Sequence, residues 1–166
     1  NILVEILPGH DAHITEDTVA EVQKGNILTI NNKGKHVLLE MPAQSVPFYV
    51  GMVLKEFKAS GIIPIIRHPE RNFQVQKNPL IVKKLVQSGA MIQVTALSLT
   101  GGFGLAAQET VVSLLGSGVV RIIAADDHSS KHRTPVLSQA VSEASTIVGG
   151  EEALDMVRQN PAEIIS

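Results

Sequence analysis

The stretch Ile62–Arg71 reads I-I-P-I-I-R-H-P-E-R, and it constrains the fold more than any other part of the chain. Five of its first six residues are apolar or proline. That composition predicts a short buried strand. The strand runs directly into Arg67, His68, Glu70 and Arg71, and Pro69 stops further pairing because it has no N–H to donate. A buried strand ending in imidazole and guanidinium groups suits an α/β fold, where sites form at the carboxyl ends of parallel strands. The plain alternative is a solvated turn that happens to carry charge. The rest of the chain decides between them.

Strand-like and helix-like segments alternate along the sequence. Ile2–Leu7 predicts a strand closed by Pro8-Gly9, with His10, Asp11 and His13 just beyond. Thr15 is placed to cap a helix over Thr18–Lys24. Ile27–Ile30 predicts a strand, Asn31–Gly34 a turn, and His36–Leu39 the next strand, ended by Glu40. Val50, Val53, Leu54 and Phe57 have helical spacing, which predicts a helix over Pro47–Ser60. Further helices are expected at Pro79–Ser88, Leu105–Ser117, about Pro135 to Val148 and Glu151–Gln159, with another opening at Asn160-Pro161. Met91–Val94 and Val119–Ala125 predict buried strands, and Thr95–Gly104 a polar, glycine-rich link. Such alternation argues for βαβ units and a parallel sheet, open or barrel-like, in one domain spanning residues 1–166. A complete (β/α) barrel takes ~250 residues, so a barrel here would be short of strands.

Composition narrows the function. The net charge of −2 gives no reason to expect nucleic acid as a partner. Apolar runs are strand-sized, so no membrane insertion is expected. The chain has no cysteine, which excludes disulfides, thiolate metal sites and a cysteine nucleophile, and fits a cytoplasmic protein.

Four expected strands end in Asp11, Glu40, His68 and Asp126-x-His128. Parallel strands bring their C-terminal ends to one side, so these residues are expected to converge. Carboxylates mixed with imidazoles suit manganese, iron or zinc. On extended backbone Asp126 and His128 would point the same way. Each residue alone has an ordinary reading: an Asx turn for Asp126, a surface residue for Glu40, a half-buried histidine for His68. Their joint placement at strand ends favours a shared metal site. Arg71 and Arg133 lie close to these positions in sequence. Alone, each reads as a solvated loop arginine; beside a metal cluster they suggest an anionic substrate, most simply a phosphoester.

These residues also carry a family resemblance. H-P-E-R at His68–Arg71 resembles the motif of the PHP (polymerase and histidinol phosphatase) superfamily. More closely, the chain is similar to the manganese-dependent protein-tyrosine phosphatases of bacterial capsule and exopolysaccharide gene clusters. The matching stretches are I-L-P-G at Ile6–Gly9, L-L-E-M-P at Leu38–Pro42, the Ile62–Arg71 segment, S-L-T-G-G-F-G at Ser98–Gly104 and A-D-D-H-S-S-K-H-R-T-P at Ala125–Pro135. The resemblance implies a distorted α/β barrel with a divalent-metal cluster, manganese first, with iron and zinc as alternatives. It places Glu40, His68, Asp126 and His128 on metal-ligand positions, and Arg71 and Arg133 on positions that hold the substrate phosphate. Asp11 falls where the family has a glutamate, in P-G-H-D rather than P-G-x-E, a shorter carboxylate that His10 or a water would have to supplement.

The implied activity is hydrolysis of phosphotyrosine on a bacterial tyrosine kinase of polysaccharide export. The family's opening H-x-H strand is not found in the sequence. The expectation is therefore that this span represents the C-terminal portion of the family fold. It would be folded but catalytically poor, weak in metal retention and inclined to form homo-oligomers. Two other readings stay open: a non-catalytic remnant with a binding role, and a phosphatase of a small phosphoester such as histidinol phosphate.

Overall fold

A computed structural model describes residues 5–126 and 137–166. Five strands form one parallel sheet in the order β1 (Asp11–His13), β2 (His36–Glu40), β3 (Ile63–Arg67), β4 (Met91–Thr95) and β5 (Ile122–Ala124). Every neighbouring pair is parallel. Helices connect them: α1 (Thr18–Gln23), α2 (Val50–Ala59), α3 (Phe73–Lys77), α4 (Leu80–Gln87), α5 (Ala96–Leu99) and α6 (Leu105–Gly116). After β5 come α7 (Ser138–Val148), α8 (Gly150–Asp155) and α9 (Gln159–Ile165). The expected α/β class with a parallel sheet and peripheral helices is what the chain forms. Its strands follow one another across the sheet without reversal, the sequence in which strands run around a (β/α) barrel. A doubly wound sheet instead reverses at a switch point.

The two faces of the sheet have different partners. Side chains alternate along a strand, so residues two apart share a face. Val37, Leu39, Ile66, Ile92, Val94 and Ile123 face the helices and belong to the main core. On α2, Val50, Val53, Leu54 and Phe57 meet that core from one helical stripe, each with no exposed surface. The opposite face carries Leu38, Ile65, Met91 and Ile122, which pack with Ile30 and with Ile164 of α9. Asp11 pairs in register with Leu38, His13 with Glu40, and Arg67 with Gln93. Asp11, His13, Glu40 and Arg67 therefore share the face that holds this smaller apolar cluster.

Several expected elements are corrected. Of Ile2–Leu7, the described residues 5–7 form no strand, and β1 begins instead at Asp11. The cause is a turn-over against the next loop: the His10 N–H donates to the Leu28 carbonyl, and Leu28 N–H donates to His10 Nδ1. Asp11 thus opens a strand rather than ending one. Ile27–Ile30 is not a strand, because Asn31 and Asn32 take φ of 54° and 50° and fold the chain into a 3₁₀ turn. Thr15 does not cap α1 in the expected way; its N–H donates to Thr18 Oγ1 at 2.7 Å. The Thr95–Gly104 link holds the short α5, and α3 after the H-P-E-R segment was not foreseen.

Phe57→Ala should lower stability by about 3–5 kcal/mol, the usual cost of emptying a fully buried aromatic site. Urea unfolding followed by circular dichroism measures it.

Candidate functional site

The C-terminal edge of the sheet gathers most of the described site candidates. β3 ends when His68 N–H donates to the Gln93 carbonyl at 2.8 Å. His68 then turns into a left-handed conformation, φ 36° and ψ 49°, and Pro69–Arg71 forms a single 3₁₀ turn. Asp126 also has positive φ, 56°. Two non-glycine residues in this sparsely populated region, both at strand ends, mark a backbone held by its surroundings.

The middle of the H-P-E-R motif is architectural. Glu70 is fully buried. Its Oε1 accepts from the Thr95 N–H at 2.9 Å and from the Ser98 hydroxyl at 2.8 Å. Burial pushes its carboxyl above the ordinary range, against those hydrogen bonds. Asn72 follows the motif and works in three directions. Its Oδ1 accepts from Val75 N–H to cap α3, while its Nδ2 donates to the carbonyls of Pro42 and Ser45. The turn after β3 thereby clamps the loop after β2 and the end of β4.

The outer residues of the motif face the site. His68 Nε2 lies 3.5 Å from Glu40 Oε1, and His13 Nδ1 lies 3.9 Å from Glu40 Oε2. Burial, reinforced by the positive charges of Arg67 and Arg71, lowers the His68 pKa to about 4. The imidazole is therefore neutral at physiological pH, the state that binds metal. Arg71 donates to Asp126 Oδ2 at 2.9 Å, and its guanidinium lies 4.3 Å from the centre of the Phe103 ring. Phe103 belongs to the glycine-rich Thr95–Gly104 link. A small cleft of about 90 Å³ is lined by Glu40, Met41, Arg67, His68, Arg71 and Asn72 among others, room for a few waters or a small anion.

Arg67 was not among the expected site residues, yet it sits at the centre. It forms ion pairs with both Asp11 and Asp126. Its side chain is 9% exposed and that of Asp126 is 5% exposed. The available signal was period-two alternation: Arg67 shares a face with Ile65, so its side chain follows the apolar row toward the site.

The donor set suits a divalent cation in chemistry. Glu40 and His68 present a carboxylate beside a neutral imidazole, and Asp11 with Asp126 already share one cation, the Arg67 guanidinium. Among the described residues, no group of three or more histidine, aspartate or glutamate side chains is arranged to hold a metal. His128 and Arg133 lie outside the described residues.

Comparison with known proteins decides the family. Residues 1–166 match the capsular polysaccharide synthesis family CpsB/CapC. The chain belongs to the CpsB/CapC family. It is 32% identical over 133 residues to the tyrosine-protein phosphatase YwqE of Bacillus subtilis, which covers 80% of this chain and 52% of that protein. It is 25% identical over 162 residues to the tyrosine-protein phosphatase CpsB of Streptococcus pneumoniae, covering 95% of this chain and 66% of that one. A solved structure from work on YwqE and CpsB, described as unique metal-dependent tyrosine phosphatases, superposes with a TM-score of 0.90 at 30% identity. That match covers 96% of this chain and 64% of the solved one. The chain thus spans about half the length of YwqE and somewhat under two thirds of the solved structure.

Glu70→Ala should cost about 3 kcal/mol, because it orphans two buried donors. The native pKa of Glu70 lies above its unfolded value of 4.5. The native state therefore holds the proton where the unfolded state has lost it, and the glutamate's contribution falls as pH rises. The stability gap between wild type and Glu70→Ala should be widest near pH 4.5 and narrower at pH 7.5, as read by urea titrations at both.

Proposed function

We propose that the chain carries metal-dependent phosphoric monoester hydrolysis, as the protein-tyrosine phosphatase of a capsule or exopolysaccharide system. The observation that carries this reading is the Glu40–His68 pair standing beside Arg71 and Asp126 at one strand-end cleft, within a family whose solved relative is described as a metal-dependent tyrosine phosphatase. Glu40, His68, Asp126 and Asp11 would hold the metal, with His128 joining them on the sequence pattern alone. Manganese is the metal of choice in this reading, with iron or zinc as alternatives. A bound divalent ion supplies Lewis-acid charge and lowers the pKa of water.

The chain's own residues do the rest. Arg71 faces the cleft at its rim, where its guanidinium would neutralise phosphoryl oxygens as charge builds on them. Arg133 would share that role. Phe103 stacks on Arg71 and limits the orientations of its fork. The ester bond between phosphorus and the tyrosine oxygen breaks while a water oxygen bonds to phosphorus, giving inorganic phosphate and the free phenol. With no cysteine in the chain, a phosphocysteine route is closed. The substrate in this reading is a phosphotyrosine segment of a bacterial tyrosine kinase, met in the cytoplasm, and residues 1–166 act as one domain that self-associates. Among the described residues no helix is long and apolar enough to cross a membrane.

A second reading has its own observation. Asp11 and Asp126 are both engaged by Arg67, which favours a metal-poor form that binds partners without turnover.

Phosphate release from a phosphotyrosyl peptide in the presence of Mn²⁺ separates the two. Turnover abolished by chelation supports the phosphatase, and no turnover over the peptide's spontaneous rate supports the binding form. Within the phosphatase reading, His68→Ala should lose metal and activity together. Arg71→Ala should keep its metal and lose about 10²-fold in kcat. Metal content by atomic emission, beside the assay, distinguishes these outcomes.

A further inference from the structure

Charge is spread unevenly along this chain. Residues 48–89 carry seven lysines and arginines against two acidic residues, while the rest carries seven against fourteen. Arg67 and Arg71 are paired with aspartates and Glu70 is buried. What this stretch turns to solvent is therefore Lys55 and Lys58 on α2, Lys77 on α3, and Lys83 and Lys84 on α4, all exposed. Glu56 is the one acidic residue on these three helices. The lysines share one surface, because α2 packs against α4 and α3 leads into it. The stem of Lys58 crosses from α2 to Gly89 beyond α4, where an added methyl group would stand 3.3 Å from its Cβ. This surface begins at the cleft. Asn72 lines the cleft and caps α3. The next residue, Phe73, donates its N–H to the carbonyl of Ala43, another cleft residue, at 2.8 Å. The exposed Phe73 ring has the Lys77 ammonium 5.3 Å from its centre.

We propose that the outer face of α2, α3 and α4 is a docking surface for an acidic polypeptide segment, the one that flanks the phosphotyrosine held at the cleft. The inference rests on the phosphatase reading above for what lies in the cleft, and on charge complementarity for what lies beside it. Opposite potentials on two surfaces steer encounter and fix register more than they add affinity. α4 spans ~12 Å at 1.5 Å per residue, and an extended polypeptide covers that length in about four residues. Acidic residues close to a phosphotyrosine in sequence therefore reach these lysines. A lipid surface is the other anionic partner that a lysine-rich face could meet. The join between this face and the cleft, through Asn72 and Phe73, favours the polypeptide, because a single extended chain then occupies both.

Fluorescence anisotropy without added metal tests this. The probes are labelled peptides with a central phosphotyrosine flanked by glutamates or by glutamines, and the unphosphorylated form of each. The glutamate peptides should bind about tenfold tighter than the glutamine ones at low salt, since each exposed pair contributes little and several act together. That preference should shrink as added salt screens it. Lys77→Glu/Lys84→Glu should abolish the glutamate preference and keep the gain from the phosphate, and Arg71→Ala should do the reverse. Lys33→Glu/Arg158→Glu makes the same change in net charge beside α9 and should keep both. Equal binding of glutamate and glutamine peptides by the wild type overturns the inference. So does a preference that survives in Lys77→Glu/Lys84→Glu, or one lost equally in Lys33→Glu/Arg158→Glu. Binding to phosphatidylserine vesicles that Lys77→Glu/Lys84→Glu removes, with no glutamate preference, assigns the face to lipid and overturns it as well. No gain from the phosphate in the wild type sinks the phosphatase reading of the cleft, while the glutamate preference still decides the docking surface.

Discussion

The ion pairs of Arg67 tie the whole C-terminal edge of the sheet together. Asp11 lies on β1, Arg67 on β3 and Asp126 just after β5, so one buried guanidinium connects the two outer strands to the middle one. Taking such charges out of water costs several kcal/mol per ion, and only their mutual attraction and hydrogen bonding offset it. Breaking one partner would leave a charge buried without its complement. The arrangement is for that reason stiff, and it fixes where every other polar group at this edge can sit. His68 is the clearest case. Burial, reinforced by the neighbouring arginine charges, holds its imidazole neutral, so the guanidinium that pairs with the aspartates also bears on the state of His68.

The H-P-E-R turn supplies the second constraint, and it works through hydrogen bonds rather than charge. Pro69 begins the turn after a residue already in the left-handed region. Glu70 points back into the fold and holds the start of α5 through Thr95 and Ser98. Asn72 points the other way and holds the loop after Glu40. The four-residue motif thus divides its labour. Its ends, His68 and Arg71, face the cleft; Glu70 within it holds the start of α5, and Asn72 just after it holds the loop after β2 and the start of α3.

Much of this was legible in the sequence, for physical reasons that also explain what was not. Buried strands with apolar runs and a helix with the spacing of Val50, Val53, Leu54 and Phe57 announce themselves, because burial selects for the period of the backbone. β2, β3, β4 and β5 all fall within or next to their expected spans, and Glu40, His68 and Asp126 lie at or beside strand ends as expected. Asp11 was misplaced within its strand because the turn that precedes β1 depends on His10 meeting Leu28, a contact between segments that local pattern does not encode. The Ile27–Ile30 strand failed because two asparagines adopt positive φ, which apolar character upstream of them could not reveal. Arg67 stood in the polar cluster that ends the strand but was assigned no role in the site. Its burial follows from two carboxylates brought from distant parts of the chain. The roles of His128 and Arg133 stay with the sequence argument, since both lie outside the described residues.

Charge balance gives the site a direction. Among the described residues, Arg67 and Arg71 stand against Asp11, Glu40 and Asp126, with His68 neutral, so the edge is slightly negative as it stands. A cleft of that sign attracts cations and repels a phosphate monoester. One divalent ion reverses the balance, and the same cleft then attracts the anion. In the proposed chemistry the order of arrival is thus set electrostatically, metal before substrate. In the proposed reading Arg71, held by Asp126 at the rim of the cleft, would be the cation that meets the phosphoryl group. A site built from carboxylates alone would bind metal more readily but would have no cation left to meet the developing charge. The pairing of Arg67 and Arg71 with aspartates holds two guanidiniums beside the cleft.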